Sequence, residues 1–193
     1  MTTEQIKKLS DFEIIKRFNE TNEDKYYQIL YDRYSEKIYR RCISLLKEKD
    51  DALDASQDIF VKLFTNISKF QEKSQFSTWV YSITYNYCID MIRKRKKHSN
   101  VFSPEKDIPD NVIEEIDDKA LLSIKVDRLK VILEEIPASD KAILLMKYQQ
   151  DFSIRDIAEV LNKSESAVKM KIKRAKHKAQ KAYVSIYGKN LND

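Results

Sequence analysis

The chain has 193 residues, with 36 lysines and arginines against 31 acidic residues and a net charge of +5. Its single glycine excludes the dinucleotide and nucleoside-triphosphate sites whose loops need several glycines at fixed spacing. The scarcity of glycine and the presence of only three prolines favour an all-α protein.

The first half of the chain shows helical periodicity from Asp11 to Lys97. Apolar residues recur three and four positions apart, as in helices that bury one side. The five patterns begin at Phe12, Tyr27, Ile38, Ile59 and Trp79. Polar residues interrupt the periodicity in three places, namely 21–24, 47–51 and 69–77. Ser10 and Ser77 are placed to cap the helices that follow them, and the whole predicts a helical bundle over residues 1–97.

Residues 98–118 lack this periodicity. Pro104 and Pro109 interrupt any helix there, and acidic residues accumulate, which predicts a flexible, extended, acidic linker. Helical spacing then resumes, and four helices are expected over residues 119–187, one of them headed by Pro137. The predicted architecture is two small helical domains joined by the linker.

A helix-turn-helix is predicted within the second domain. One apolar stripe ends at Leu161 and the next starts at Val168, with a short turn between them. Ser153 and Asp156 have the spacing of a capping box, and Ser164 is placed to cap the second helix. That second helix is rich in lysine, which suits the phosphates and base edges of duplex DNA.

Several residues of this helix are expected to contact duplex DNA, either at base edges in the major groove or at the phosphates beside it. They are Ser164, Glu165, Ser166, Lys169, Met170, Lys171, Lys173, Arg174 and Lys176. The alternative is a small helical packing whose lysine-rich face is merely solvated. The turn spacing, the charge, and the small residue Ala158 where two helices must approach closely all coincide, which favours DNA.

A second group of candidate residues lies on the helix predicted before the linker. It combines aromatic rings, an amide and a terminal basic run, which together suit unpaired bases and their backbone. These residues are Phe76, Trp79, Tyr81, Tyr85, Asn86, Asp90, Arg93, Lys94, Arg95 and Lys97. An aromatic stripe can equally be part of a core, so this pattern alone leaves both interpretations open.

A third group forms the polar side of the helix that spans residues 51–64. Its apolar side faces the bundle, and its polar side consists of Asp51, Asp54, Gln57, Asp58 and Lys62. Taken alone, this surface indicates only that one side of the helix is solvated.

Cys42 and Cys88 are the only cysteines, and neither has metal-ligand spacing with His98 or His177. We therefore expect two small apolar side chains, no metal site and no cofactor. No apolar run approaches the length of a membrane-spanning helix, and the polar, charged start of the chain does not resemble a signal peptide. The sequence predicts a cytoplasmic protein without membrane insertion.

Taken in chain order, the three segments resemble the sigma factors of bacterial RNA polymerase. The resemblance is in particular to the small extracytoplasmic-function (ECF) type of the sigma-70 family. Residues 51–64 are similar to its clamp-binding helix, of the form Asp-Ala-x-Asp-x-x-Gln-(Asp/Glu)-x-Phe. Residues 76–97 are similar to its promoter −10 helix. Residues 133–178 are similar to its −35 helix-turn-helix, including Leu-x-x-Ile-Pro and Ser-x-x-Ala-Val-Lys.

The resemblance implies a transcription initiation factor that catalyses no reaction and takes no small-molecule substrate. The third group would contact the clamp of the largest subunit of core RNA polymerase, and the C-terminal domain would rest on the flap of the second-largest subunit. The second group would capture a flipped base of the non-template −10 strand, and the first group would read −35 duplex. A cognate anti-sigma factor is a further expected partner.

One departure from the family pattern affects the turn. Asn162 stands where many relatives have glycine, a tolerable change because asparagine enters the left-handed conformation more readily than most residues. Two alternatives stay open: a free-standing helix-turn-helix regulator whose first domain senses or dimerises, and a helical adaptor or anti-sigma-like protein without DNA contact.

Overall fold

All regular structure is helical in residues 2–70, 75–98, 116–118 and 124–188, the part of the chain that the computed structural model describes. The all-α prediction is confirmed. Packing divides the chain into two compact units, residues 1–100 and residues 101–193. Most of the predicted linker, residues 99–115, lies outside the described residues.

The first unit is built around one long helix. Its helices are α1 Thr3–Lys7, α2 Asp11–Thr21, α3 Asp24–Leu46, α4 Lys49–Asn66 and α5 Phe76–His98, with a 3₁₀ turn at Ile67–Lys69. Helix α3 packs against α1, α2, α4 and α5, because its apolar residues lie on more than one side. Ile14, Ile38, Ile59 and Val80 are among the fully buried residues at the centre.

Local capping explains where several of these helices begin and end. Ser10 starts α2 with a capping box: the Glu13 amide donates to Ser10 Oγ over 3.3 Å, and the Ser10 amide donates to Glu13 Oε2 over 2.8 Å. Asn22 ends α2 in the left-handed conformation at φ 53°. The predicted Ser10 cap and the break at residues 21–24 are therefore confirmed.

Three details of this unit differ from the predictions. The patterns that begin at Tyr27 and Ile38 belong to one helix of 23 residues, since no strong helix-breaking residue separates them. A short helix, α1, was not predicted; a capping box of Thr2 with Gln5 starts it. Ser77 is not a cap, because α5 begins one residue earlier and its first amides donate to the carbonyl oxygen of Gln75.

The second unit places the helix-turn-helix on two supporting helices. It contains α6 Val126–Glu135, α7 Ala138–Tyr148, α8 Ile154–Leu161 and α9 Glu165–Tyr187, and α9 packs against the other three. The four expected helices are thus present among the described residues. Ile132, Ile143, Met146, Ile157 and Val168 are at most 2% exposed and form the core between them.

The turn between α8 and α9 has the predicted local chemistry. Ser153 and Asp156 form the capping box at the start of α8, and Ser164 Oγ accepts the amide of Ala167 at the start of α9. Asn162 adopts φ 48° and ψ 55°, so the asparagine supplies the left-handed residue that ends α8. The helix-turn-helix prediction is confirmed.

The two cysteines are buried against each other in the first unit. Both are fully buried, Cys88 Sγ lies 3.8 Å from Cys42 Sγ, and this hydrogen bond, together with burial, raises the pKa of the Cys88 thiol. Because both thiols are fully buried and the reaction needs an accessible thiolate, we expect neither cysteine to react with a soluble thiol reagent at neutral pH in the native protein. Colorimetric thiol titration with and without denaturant measures this, and rapid labelling of the native protein would contradict it.

Candidate nucleic-acid interface

Helix α9 presents most of the predicted duplex-contacting residues at its N-terminal half. Glu165, Ser166 and Lys169 are exposed, whereas Met170, Lys171, Lys173 and Arg174 are half-buried. The buried side of the helix is formed by Val168, Ile172, Ala175 and Ala179. Since residues five apart differ by about 140° around a helix, Lys173 points well away from the side marked by Val168. Ser164 serves as the cap of this helix.

Lys176 corrects the prediction for this helix. Its side chain is only 11% exposed, and its ammonium donates to the carbonyl oxygen of Ile116 and to a carboxylate oxygen of Asp118. It therefore does not belong to the exposed basic surface of α9. The sequence predicted exposure from charge alone, whereas a buried lysine is retained here because it is paired.

Three aromatic residues of α5 also differ from the prediction, because the structure buries them in the first unit. Phe76, Tyr81 and Tyr85 are 6%, 4% and 9% exposed, and Phe76 packs edge-on against Tyr34 with ring centroids 5.3 Å apart. The guanidinium of Arg41 lies 4.1 Å from the centroid of the Tyr81 ring. These rings stabilise the bundle and are not available to stack on bases in this conformation.

Burial shifts the pKa values of both Tyr81 and Arg41. Burial raises the pKa of Tyr81 to about 12, partly offset by the charge of Arg41, and burial lowers the pKa of Arg41. Both groups keep their ordinary charge at neutral pH. The pair therefore acts as a fixed structural contact between α3 and α5.

A cavity of about 490 Å³ opens between α4 and α5, within the volume of roughly 300–1,000 Å³ that is usual for ligand sites. Its wall combines an indole, a phenol, two amides and several ammonium groups. The lining residues are Lys62, Asn66, Lys69, Trp79, Ile83, Asn86, Tyr87, Asp90, Met91 and Lys94. Rings, amides and cations are the groups that hold an unpaired base and its phosphate.

The sequence located part of this cavity and missed the rest. Trp79, Asn86, Asp90 and Lys94 were predicted for nucleic acid, and the structure brings them together. Ile83, Tyr87 and Met91 continue the apolar pattern that begins at Trp79 and was expected to face the core, but they lie on the cavity wall with the predicted residues. Asn66 and Lys69 were not predicted. Spacings of three and four residues from Trp79 to Lys94 were the signal for a single helix side.

The Trp79 ring packs against two other aromatic rings. Its centroid lies 5.5 Å from that of Phe70 and 5.6 Å from that of Phe76. Aromatic pairs at such distances stabilise each other by about 0.5–1.5 kcal/mol beyond their buried area. Trp79 is thus held in place beside the cavity that it lines.

The predicted polar side of α4 is partly tied to α5. Asp54 and Gln57 are exposed. Asp58 accepts a hydrogen bond from the hydroxyl of Tyr87. Partial burial, followed in size by this hydrogen bond, raises the pKa of Tyr87 to about 12. Lys62 lies on the cavity wall, with its ammonium 4.7 Å from the centroid of the Tyr87 ring.

The basic end of α5 and the start of α4 are joined by an ion pair. Arg95 pairs with Asp51, and this contact lowers the pKa of the Asp51 carboxyl. Arg93 pairs with Asp90 over 3.4 Å, while Lys94 and Lys97 are exposed. The residues predicted for polymerase and those of α5 predicted for DNA therefore lie on adjoining helices of one unit.

An exposed apolar element of α4 was not predicted. Leu53, Val61 and Phe64 are 50%, 62% and 43% exposed, although Phe64 continues the apolar pattern that begins at Ile59 and was expected to face the bundle. The Phe64 ring still packs on its inner side against Tyr27, with centroids 4.7 Å apart. The outer surface of α4 is therefore mixed, with acidic residues beside exposed apolar area that a partner could bury.

Among the described residues, none of the helices is long and apolar enough to cross a membrane. The same residues contain no group of three or more histidine, cysteine, aspartate or glutamate side chains placed to hold a metal ion.

Two family models match the helices that carry these surfaces. Sigma-70 region 2 matches residues 30–98, from α3 to the end of α5, and Sigma-70, region 4 matches residues 127–178, the helix-turn-helix and its supports. The chain belongs to the sigma-70 family of RNA polymerase sigma factors. Together the two matches cover well over half of the sigma factor.

Curated relatives agree with this and indicate the ECF type. The sigma factor is 29% identical over 178 residues to the ECF RNA polymerase sigma factor SigW of Bacillus subtilis (strain 168), covering 86% of this chain and 93% of the relative. It is 26% identical to SigX of the same organism, covering 74% and 76%. It is an ECF sigma factor that directs core RNA polymerase to promoters, and the free-standing regulator is not favoured.

Solved structures show the same fold. RpoE of Bartonella quintana, solved with the anti-sigma factor NepR, aligns with a TM-score of 0.60 at 20% identity, covering 82% of this chain and 96% of RpoE. CnrH, solved with the cytosolic domain of CnrY, aligns with a TM-score of 0.62 at 18% identity, covering 92% and 98%.

Proposed function

We propose that the cavity between α4 and α5 is where this sigma factor holds an unpaired base of the −10 element. The observation that carries the proposal is the wall itself, where Trp79, Asn86 and Lys94 face one space of about 490 Å³. The Trp79 ring supplies a stacking surface, the Asn86 amide a donor and an acceptor for a base edge, and Lys94 a cation for the adjoining phosphate.

The exposed basic end of α5 would then hold the backbone of the same strand. Lys94 and Lys97 are exposed at the end of the helix. Arg95 is available only if it leaves Asp51, so we assign it the weaker role. Phe76, Tyr81 and Tyr85 support the helix from inside the bundle and do not contact DNA.

We propose that α9 reads the −35 element as duplex in the major groove. Its capped N-terminus carries Glu165, Ser166 and Lys169 as exposed residues, which are the positions that approach base edges when such a helix enters the groove. Lys173 lies a turn further on, where phosphates are the nearer partner. Lys176 has no part in this contact.

The outer surface of α4 would bind the clamp of the largest polymerase subunit. Asp54, Gln57 and Asp58 provide the polar contacts, and Leu53 and Val61 add apolar area that no sequence pattern indicated. The second unit would rest on the flap of the second-largest subunit. The proposed division of the chain is residues 1–97 for core binding and −10 recognition and residues 119–187 for −35 recognition.

Three further assignments complete the proposal. The protein would catalyse no reaction and would act in the cytoplasm, where its polymerase and promoter are found. It would also be held inactive by a cognate anti-sigma factor, since the structural neighbours RpoE and CnrH were solved with NepR and with part of CnrY.

The decisive experiment is reconstitution of transcription from purified components. The chain is mixed with core polymerase and a promoter fragment, and the transcript start is mapped. A discrete start site that depends on both promoter elements supports the proposal. Tight binding to duplex DNA without polymerase, with no complex formed with core, would support a free-standing regulator instead.

Replacing Trp79 by alanine tests the cavity directly. Because base–aromatic stacking contributes about 1–3 kcal/mol per base, we expect open-complex formation to weaken by about 5- to 150-fold. A fluorescent adenine analogue in the non-template −10 strand reports the capture of the base.

A matched control is Phe12→Ala, which removes an aromatic ring that is 43% exposed on α2. The Phe12 variant should open promoters normally. Equal losses in both variants, or an unchanged base signal in the Trp79 variant, would remove Trp79 from the proposed site.

A further inference from the structure

Two residues at the end of the predicted linker, Ile116 and Asp118, are hydrogen-bonded to helices of the second unit. Ile116 is 5% exposed, and its carbonyl oxygen accepts the ammonium of Lys176 over 2.6 Å. One carboxylate oxygen of Asp118 accepts a hydrogen bond from the ammonium of Lys176 over 2.8 Å and another from the hydroxyl of Tyr148 over 2.7 Å. The end of the predicted linker is thus bonded to α7 and α9.

These bonds are not ordinary surface contacts. The Lys176 side chain is 11% exposed, so its charge is largely withdrawn from water and depends on Asp118 and the Ile116 carbonyl for compensation. Hydrogen bonds from Lys176, which has the larger effect, and from Tyr148 lower the pKa of the Asp118 carboxyl. The lysine that holds the linker lies on α9, the helix proposed to read duplex DNA.

We propose that Lys176 is a positioning residue: together with Asp118 and Tyr148, it fixes where the chain leaves helices α7 and α9 and thereby limits the promoter spacing that the sigma factor accepts. This inference rests on the proposed function. The segment that joins the two DNA-reading units ends at Ile116 while the bonds hold. If they break, this fixed point is lost and the connection between the two DNA-reading units lengthens.

A longer connection changes selection between promoters in a predictable direction. Each base pair between the −10 and −35 elements moves them apart by about 3.4 Å and turns one relative to the other. A longer connection accommodates more of these arrangements, and it lowers the effective concentration of the second unit at the best spacing. Loss of the bonds should therefore broaden the spacing preference.

The experiment uses holoenzyme and a promoter series in which only the spacer differs, by one or two base pairs in either direction. The variants are Lys176→Met, which keeps the length of the side chain without its charge, and Asp118→Asn. We expect transcription at the disfavoured spacings, relative to the best one, to rise by about threefold or more in both variants. The control is Lys181→Met, an exposed lysine of the same helix.

The ratio between promoters separates this role from the others that Lys176 could have. Weaker transcription by the same factor at every spacing would indicate a DNA contact or a loosened fold and would overturn the proposal. An unchanged ratio would overturn it as well. Because Asp118 is about half exposed, Asp118→Asn should fold even if Lys176→Met does not.

Failure of the proposed function would look different. In that case the unaltered protein would give no promoter-dependent start at any spacing, and no ratio could be formed. The variants are compared only after the unaltered sigma factor has shown a preferred spacing.

Discussion

Asp58→Arg is expected to weaken the binding of this sigma factor to core RNA polymerase by about tenfold or more while the fold is retained. Asp58 is exposed on α4, and reversing its charge places a cation within the proposed clamp-binding surface. Affinity can be measured by titrating labelled sigma factor with core polymerase, and helicity by circular dichroism.

Two controls isolate the contact with polymerase. Tyr87→Phe removes the hydrogen bond that Asp58 accepts but leaves the carboxylate in place, so core binding should persist. Glu20→Arg makes the same charge reversal at an exposed position of α2. Unaltered co-elution of the Asp58 variant with core would count against this side of α4, and equal loss in the Glu20 variant would indicate a general charge effect.

Replacing Lys169 and Lys173 together by alanine is expected to abolish the dependence of transcription on the −35 element. A lysine that contacts a base edge contributes about 1–3 kcal/mol. Removing a lysine that holds a phosphate makes the negative slope of log affinity against log salt less steep by about 0.9. Holoenzyme binding to promoter duplex, measured at several salt concentrations, distinguishes the two roles for each lysine.

The matched control removes two lysines elsewhere in the second unit. Lys130 on α6 and Lys181 near the end of α9 are exposed, so Lys130→Ala with Lys181→Ala changes the net charge equally. This control should leave −35 dependence intact. A parallel loss in both double variants would mean that α9 acts through overall charge and not through a defined contact.

Several features of the fold were predictable because they depend on residues close together in the chain. The capping boxes of Ser10 and Ser153 involve partners three residues away, and Asn162 takes the left-handed conformation by its own side-chain chemistry. Helix positions followed from apolar spacing. The helix-turn-helix was located for the same reason, since its turn and caps span few residues.

The cavity was only half predictable from α5. This helix carries aromatic and apolar residues on several sides, so its sequence does not reveal which side faces the core. Tyr81 and Tyr85 face inward because α3 provides contacts such as that of Arg41 with Tyr81. Trp79 and Asn86 line the cavity, and the opposite wall comes from Lys62 and Asn66 of α4.

By itself, the sequence determined the all-helical class, most of the helix ends and the family, because capping, periodicity and motifs are local or repeated signals. Only the tertiary structure decided which charged side chains are paired with other residues of the protein. Lys176 looks like its neighbours in the sequence, yet its partner Asp118 lies 58 residues away, and Tyr87 reaches Asp58 over a separation of 29. Such pairings depend on how helices pack, and no periodic pattern encodes them.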